Sequence, residues 1–125
     1  MRRPDVLVDS SIWIDHINGG DHGLADLLRR RKVLVHPMVI GEVALGSIRN
    51  RAMVLAELRQ LPASATASHA EVLAMIEWAK LHESGLGLVD AHLLAASRLT
   101  EGGQIWTRDK RLHAQAERFG LAYPC

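Results

Sequence analysis

The sequence has a single cysteine, Cys125, at position 125 of 125 residues. An internal disulfide framework and a thiolate metal cluster within one chain are therefore both excluded. Aromatic residues make up only 4% of the chain, which leaves no evident platform for stacking single-stranded bases. No apolar run approaches the roughly 20 residues of a membrane-crossing helix. The longest runs, such as 6–8 and 93–96, suit buried strands and helices. Asp5 and Asp9 interrupt what would be the apolar segment of a secretion signal after Arg2 and Arg3, so the expected location is the cytoplasm. Neither sign of charge dominates. Fifteen Lys and Arg against fourteen Asp and Glu leave a net +1, so bulk electrostatics names no partner. Seven His are scattered without an HExxH or comparable spacing.

With 48% hydrophobic and 23% charged residues the chain is not disordered. Its length suits one domain over residues 1–125, burying about two-thirds of the surface the unfolded chain exposes. Strand-like VLV at 6–8 leads into Asp9-Ser10-Ser11, and Ile12-Trp13-Ile14 then begins a helical pattern that Gly19-Gly20 ends. Ser10 or Ser11 is the expected N-cap. Further helices are expected over 21–31, from Pro37 to Gly46, over 50–61 and 68–83, from 88 or 90 to about 101, and over 109–119. Strands are expected at 33–35, 104–107 and 121–123, with at best a weak one in the small, polar stretch 62–68. Short apolar strands with helices between them predict an α/β fold, a parallel sheet covered on both faces. Right-handed crossovers align the carboxyl ends of its strands along one edge, where such folds bind ligands.

Asp9 and Asp109 each leave the end of a strand, and so should arrive at that edge together. Taken singly, each also reads as a helix cap. Asp90 opens a helix in line with Leu93, Leu94 and Ser97. Glu42 lies on the apolar helix after Pro37, where a lone carboxylate is costly unless a donor or cation meets it. Solvent at a helix end, or an ion pair with Arg49 or Arg51, would serve equally well. Three or four carboxylates within a few ångströms repel one another, and a divalent cation relieves that directly. An all-oxygen site points to Mg²⁺ or Mn²⁺ rather than Zn²⁺.

The segments VLVDSSIWID at 6–15, GEVALG at 41–46, GLVDAHLLAA at 87–96 and TRD at 107–109 resemble the four acidic motifs of PIN-domain ribonucleases. The short form is similar to the VapC toxins of bacterial toxin–antitoxin pairs. The resemblance implies a three-layer α/β/α sandwich around a parallel sheet of order 3-2-1-4-5, and Mg²⁺- or Mn²⁺-dependent endonucleolytic cleavage of RNA. It makes Asp9, Glu42, Asp90 and Asp109 the catalytic acids. Asp9, Asp90 and Asp109 would be metal ligands, and Glu42 would act through a water on the cation. Ser11 and Thr107 would orient carboxylates or substrate. It also implies a homodimer, and a VapB-type antitoxin whose C-terminal segment fills the active-site groove. The substrate could be tRNA, rRNA or mRNA. Hydrolysis by cation-activated water should leave a 5′-phosphate and a 3′-hydroxyl.

Arg108, Lys110 and Arg111 bracket Asp109 and are candidate contacts to RNA phosphates, against an equally ordinary surface role. The run Arg29-Arg30-Arg31-Lys32 is expected to be solvated at a helix end. Trp13 and Trp106 are expected in the core, Asp15 in solvent, and the His residues at the surface or in packing. Two other classes compete. A phosphoacceptor receiver domain needs an Asp ending a central strand near mid-chain, where this sequence has His36-Pro37. A PIN-like module that binds RNA or a partner without catalysis would not need all four acids.

Overall fold

The computed structural model describes residues 3–124. The strands are β1 (Val6–Val8), β2 (Val33–Leu34) and β3 (Gln104–Trp106). The helices are α1 (Ser10–Gly19), α2 (His22–Arg29), α3 (Pro37–Leu45), α4 (Arg51–Gln60), α5 (His69–Trp78), α6 (Leu88–Leu99) and α7 (Lys110–Arg118), with a 3₁₀ turn at Leu81–Glu83. Every residue of β1 is buried, as expected of a central strand covered on both faces. It pairs in parallel with β2 on one side and β3 on the other, Leu7 lying opposite both Leu34 and Ile105.

Single parallel bridges extend the sheet at both edges, Val35 to Ala63 and Ile105 to Ala122. Counted along the chain, these contacts reproduce the order 3-2-1-4-5 within a sandwich flanked by helices. The outer position at Ala63 is one residue long because 62–68, with Pro62 and three Ala, has little preference for a pleated ladder. Leu7, Ile12, Leu24, Leu27, Leu58, Leu93, Leu94, Ile105 and Leu112 fill the core. Among the described residues, no helix is long and apolar enough to cross a membrane.

The strand expected at 121–123 is reduced to the bridge at Ala122, and two helix limits depart from expectation for a tertiary reason. The N-cap of α1 is Asp9, whose carboxylate accepts the Ser10 N–H, so both serines lie inside the helix. The helix expected over 68–83 stops after Trp78, with Lys80 in the left-handed region at φ 55°. There Arg118 of α7 donates to the Ala79 carbonyl at 2.7 Å and satisfies the end of α5.

The turn from α6 into β3 depends on glycine. A Cβ on Gly103 would run into the Ser97 carbonyl oxygen and lie 2.9 Å from the Thr100 Cβ. This close approach lets Gln104 N–H reach the Asp5 carbonyl at 2.8 Å and sets β3 in register beside β1.

Candidate active site

Because β1 and β3 are parallel and in register, the residues after Val8 and Trp106 emerge side by side. The Asp9 N–H continues the ladder to the Trp106 carbonyl at 2.9 Å. Asp9 is only 5% exposed, so its charge must be met from within. One oxygen, Oδ1, accepts the Ser10 N–H at 2.8 Å, and the other, Oδ2, accepts the Thr107 hydroxyl at 2.7 Å. Its place at the positive end of α1 adds a favourable dipole term. Both of its readings hold geometrically: it caps α1, and it stands at the sheet edge.

Thr107 is a hub. Its buried hydroxyl donates to Asp9 and accepts the Asp109 N–H at 3.0 Å, so the segment after β3 is tied to the end of β1. Asp109 caps α7, its Oδ1 accepting N–H groups of Arg111 at 2.8 Å and Leu112 at 3.1 Å. Glu42 is half-buried in the second turn of α3, between buried Val39 and Val43. What meets it is neither Arg49 nor Arg51 but the Ser10 hydroxyl, 2.9 Å from Oε1. Arg51 is turned to the Ala44 carbonyl instead, at 3.0 and 2.7 Å, where it caps the end of α3.

Asp90 lies in the first turn of α6. Burial pushes its carboxyl above the ordinary carboxylate range, and the negative charge of Asp9 adds to this. The Gly87 N–H, 3.4 Å from Oδ2, opposes the shift, while Asp109 and Glu42 reinforce it. Asp90 thus feels each of the other three acids, which come from three separate segments of the chain. Among the described residues, no three His, Cys, Asp or Glu side chains stand close enough to hold one ion as they are. The donor set is nevertheless all oxygen, and its mutual repulsion is of the kind a hard divalent cation removes.

Ser11 accepts the Arg108 N–H at 3.4 Å and so links α1 to the loop after β3. The hydroxyl that lies against two of the acidic side chains, Glu42 at 2.9 Å and Asp9 at 3.5 Å, is that of Ser10, which the family motifs do not single out. The available signal is the cap itself: with Asp9 as N-cap of α1, Ser10 is the first helical residue and stands next to it. Arg108 does not face the acids. Its guanidinium bonds Asp15 and, at 2.8 Å, Asp21, the cap of α2. The Leu24 N–H is the main reason the Asp21 carboxyl titrates below its usual value, with Arg108 contributing. Asp15 is exposed apart from this pair. Lys110 is exposed, and Arg111, also exposed, packs its side chain over Gly85. Trp13 and Trp106 are both buried.

Beyond β2 and the Val35 bridge, the chain enters α3 through His36 rather than an acid. His36 is buried, and its Nδ1 accepts the Met38 N–H at 3.0 Å, capping α3. Burial, with a smaller contribution from His92, holds its pKa below the ordinary value.

The PIN domain family matches residues 6–118, an interval that contains all four acids. Ribonuclease VapC32 of Mycobacterium tuberculosis, in strain CDC 1551 / Oshkosh and in strain ATCC 25618 / H37Rv, is 44% identical over 117 residues, covering 94% of this chain and 94% of the relative. The crystal structure of PAE2754 from Pyrobaculum aerophilum shares the fold, with a TM-score of 0.60 and 19% identity over 90% of this chain and 80% of that one. With acids delivered in this order to the edge of this sheet, and kinship along nearly the whole length, the chain belongs to the PIN-domain family, among its VapC ribonucleases.

Proposed function

We propose that this chain is the toxin of a type II toxin–antitoxin pair, an endoribonuclease that hydrolyses RNA with the help of Mg²⁺ or Mn²⁺. The observation that carries the reading is the convergence of four acids from separate segments at one sheet edge, where Asp90, raised first by its own burial, also feels the charges of Asp9, Asp109 and Glu42. Acids so mutually coupled are costly to keep ionised together without a cation. Asp9, Asp90 and Asp109 would hold the ion. When bound, a divalent cation neutralises charge on a phosphodiester and makes water acidic enough to attack it near neutral pH.

The chain's own residues do the rest. Ser10 N–H and the Thr107 hydroxyl hold both oxygens of Asp9, one bond each, fixing its plane while leaving each oxygen a further lone pair. Glu42 has its Oε1 on Ser10, so Oε2 is the atom that would take a proton from the attacking water. Asp90 must give up its proton before it can ligate, so cation affinity should rise with pH across its titration. Attack by water, not by a 2′-hydroxyl, leaves a 5′-phosphate and a 3′-hydroxyl. Lys110 and Arg111, exposed beside Asp109, would contact RNA phosphates. Arg108 would do so only after releasing Asp15 and Asp21. The names of the relatives support a VapB-type antitoxin as partner, and we assign the chain a homodimeric state.

Induced expression in a bacterial host, wild type beside Asp9→Asn, tests the reading. Growth arrest with discrete new RNA 5′ ends in the wild type alone is expected, and the position of those ends names the substrate. The absence of new ends from a folded wild-type protein would overturn it, as would 2′,3′-cyclic phosphate termini.

A further inference from the structure

We propose that Ser10 is a positioning residue of this site, a latch that holds the Glu42 carboxylate of α3 against the Asp9 end of β1. The inference rests on the ribonuclease reading above for its consequence, and on hydrogen-bond geometry for its mechanism. The Ser10 hydroxyl is 2.9 Å from Glu42 Oε1 and 3.5 Å from Asp9 Oδ1. It carries one proton, and the shorter distance assigns that proton to Glu42. Asp9 does not need it, since its two oxygens are already met by the Ser10 N–H and by Thr107. One residue therefore serves two acids, its backbone N–H holding Asp9 and its side chain holding Glu42.

Glu42 depends on this bond more than the other acids do on theirs. Asp9 and Asp109 are short and accept backbone N–H groups at helix N-termini. Glu42 is a longer side chain with more torsions to fix, and it lies in the second turn of α3, beyond reach of free N–H groups. No arginine pairs with it among the described residues: Arg51 is engaged with the Ala44 carbonyl, and Arg108 with Asp15 and Asp21. Among the described residues, the Ser10 hydroxyl is the donor that Glu42 has. Since α1 packs on α3, the bond joins elements 32 residues apart and aims a half-buried carboxylate inward that would otherwise turn to water. Ser10 should thus govern how often Glu42 is in place, and so the rate of the bound complex, with little influence on RNA binding.

A double-mutant cycle decides this. Ser10→Ala, Glu42→Gln and the double variant are compared with wild type for cleavage of total bacterial RNA at saturating and at limiting RNA, and for Mn²⁺ affinity by calorimetry. Loss of a hydrogen bond that orients a group around a metal site commonly costs about 10- to 100-fold in activity or metal affinity. Ser10→Ala should reduce kcat by that order with KM for RNA unchanged. In the Glu42→Gln background the same change should have no more than about a twofold effect, the non-additivity expected of residues acting as one unit. Ser10→Thr keeps the hydroxyl and should restore kcat. Additive effects of the two substitutions, or a Ser10→Ala effect confined to KM, would overturn the proposal. So would a Ser10→Thr variant as slow as Ser10→Ala. If wild type cleaves no RNA, the ribonuclease reading fails by itself, and the Mn²⁺ cycle still judges the latch: additive losses of affinity refute it, and coupled losses sustain it.

Discussion

Replacing Thr107 with Val tests how much the buried carboxyl group at the end of β1 depends on its hydrogen bonds. The two side chains have nearly the same shape, so the change removes one oxygen without opening a cavity, at a position only 2% exposed. Two bonds are lost: the 2.7 Å donation to Asp9 Oδ2 and the 3.0 Å acceptance from the Asp109 N–H. A hydrogen bond to a charged group contributes roughly 1.5–3 kcal/mol, and a buried group left unmatched adds its own desolvation cost. The Asp109 N–H is only partly buried and can recruit water, so most of the loss falls on Asp9. Together these give a destabilisation of about 2–4 kcal/mol without metal. For a chain of this length 1 kcal/mol corresponds to roughly 4 °C, so Tm should fall by about 8–16 °C. The assay is calorimetric or circular-dichroism melting at neutral pH with EDTA present, on Thr107→Val and Thr107→Ser side by side. The Ser variant keeps the hydroxyl and should stay within a few degrees of wild type. A Val variant that melts with the wild type would refute the reasoning, as would a Ser variant that falls as far as Val.

Asp90→Asn should do the opposite. The folded-state pKa of Asp90 is raised above its ordinary 3.8, so the folded state holds a proton that the unfolded chain has already released; stability is lost as pH rises through that window and stays reduced above it. The Asn variant escapes the penalty, so without metal it should melt above wild type at neutral pH, and the difference should vanish at pH below that carboxylate value. Gly103→Ala, which drives a Cβ into the Ser97 carbonyl oxygen, should cost about 1–3 kcal/mol in urea unfolding, since a turn so close cannot open without shifting β3. Arg108→Ala breaks its pairs with Asp15 and Asp21, but these are surface pairs, so urea titration should show a loss of no more than about 1 kcal/mol.

The parts of the site that were legible in the sequence are those fixed by local pattern and chirality. A buried VLV run before Asp9 and a buried IW before Thr107 announce two parallel strands, and parallel pairing alone brings Asp9 and Asp109 to one edge. Asp90 was legible because the Leu positions of α6 fix which way its first turn faces. What was not legible came from contacts between distant segments. The choice between Ser10 and Ser11 turns on which residue caps α1, and Asp9 takes that place because its carboxylate is also held by Thr107, 98 residues away. The partner of Glu42 was sought among nearby arginines, the usual cations for such an acid, and proved to be a hydroxyl 32 residues away. The end of α5 carries no glycine or proline to announce it; it is set by Arg118, 39 residues downstream. Arg108 adjoins Asp109 in sequence, yet its long side chain reaches away to α1 and to the cap of α2, a direction no spacing rule supplies.

The central claim is that Asp9, Glu42, Asp90 and Asp109 act as one cation site. Crystals grown with Mn²⁺ and measured at the manganese edge test it most directly, with Asp90→Asn crystals as the comparison. An anomalous peak bounded by Asp9, Asp90 and Asp109 is expected, with Glu42 facing it, and a peak weakened or lost in the variant. A wild-type map with no peak among these carboxylates at saturating Mn²⁺, or with the ion bound elsewhere, would contradict the claim.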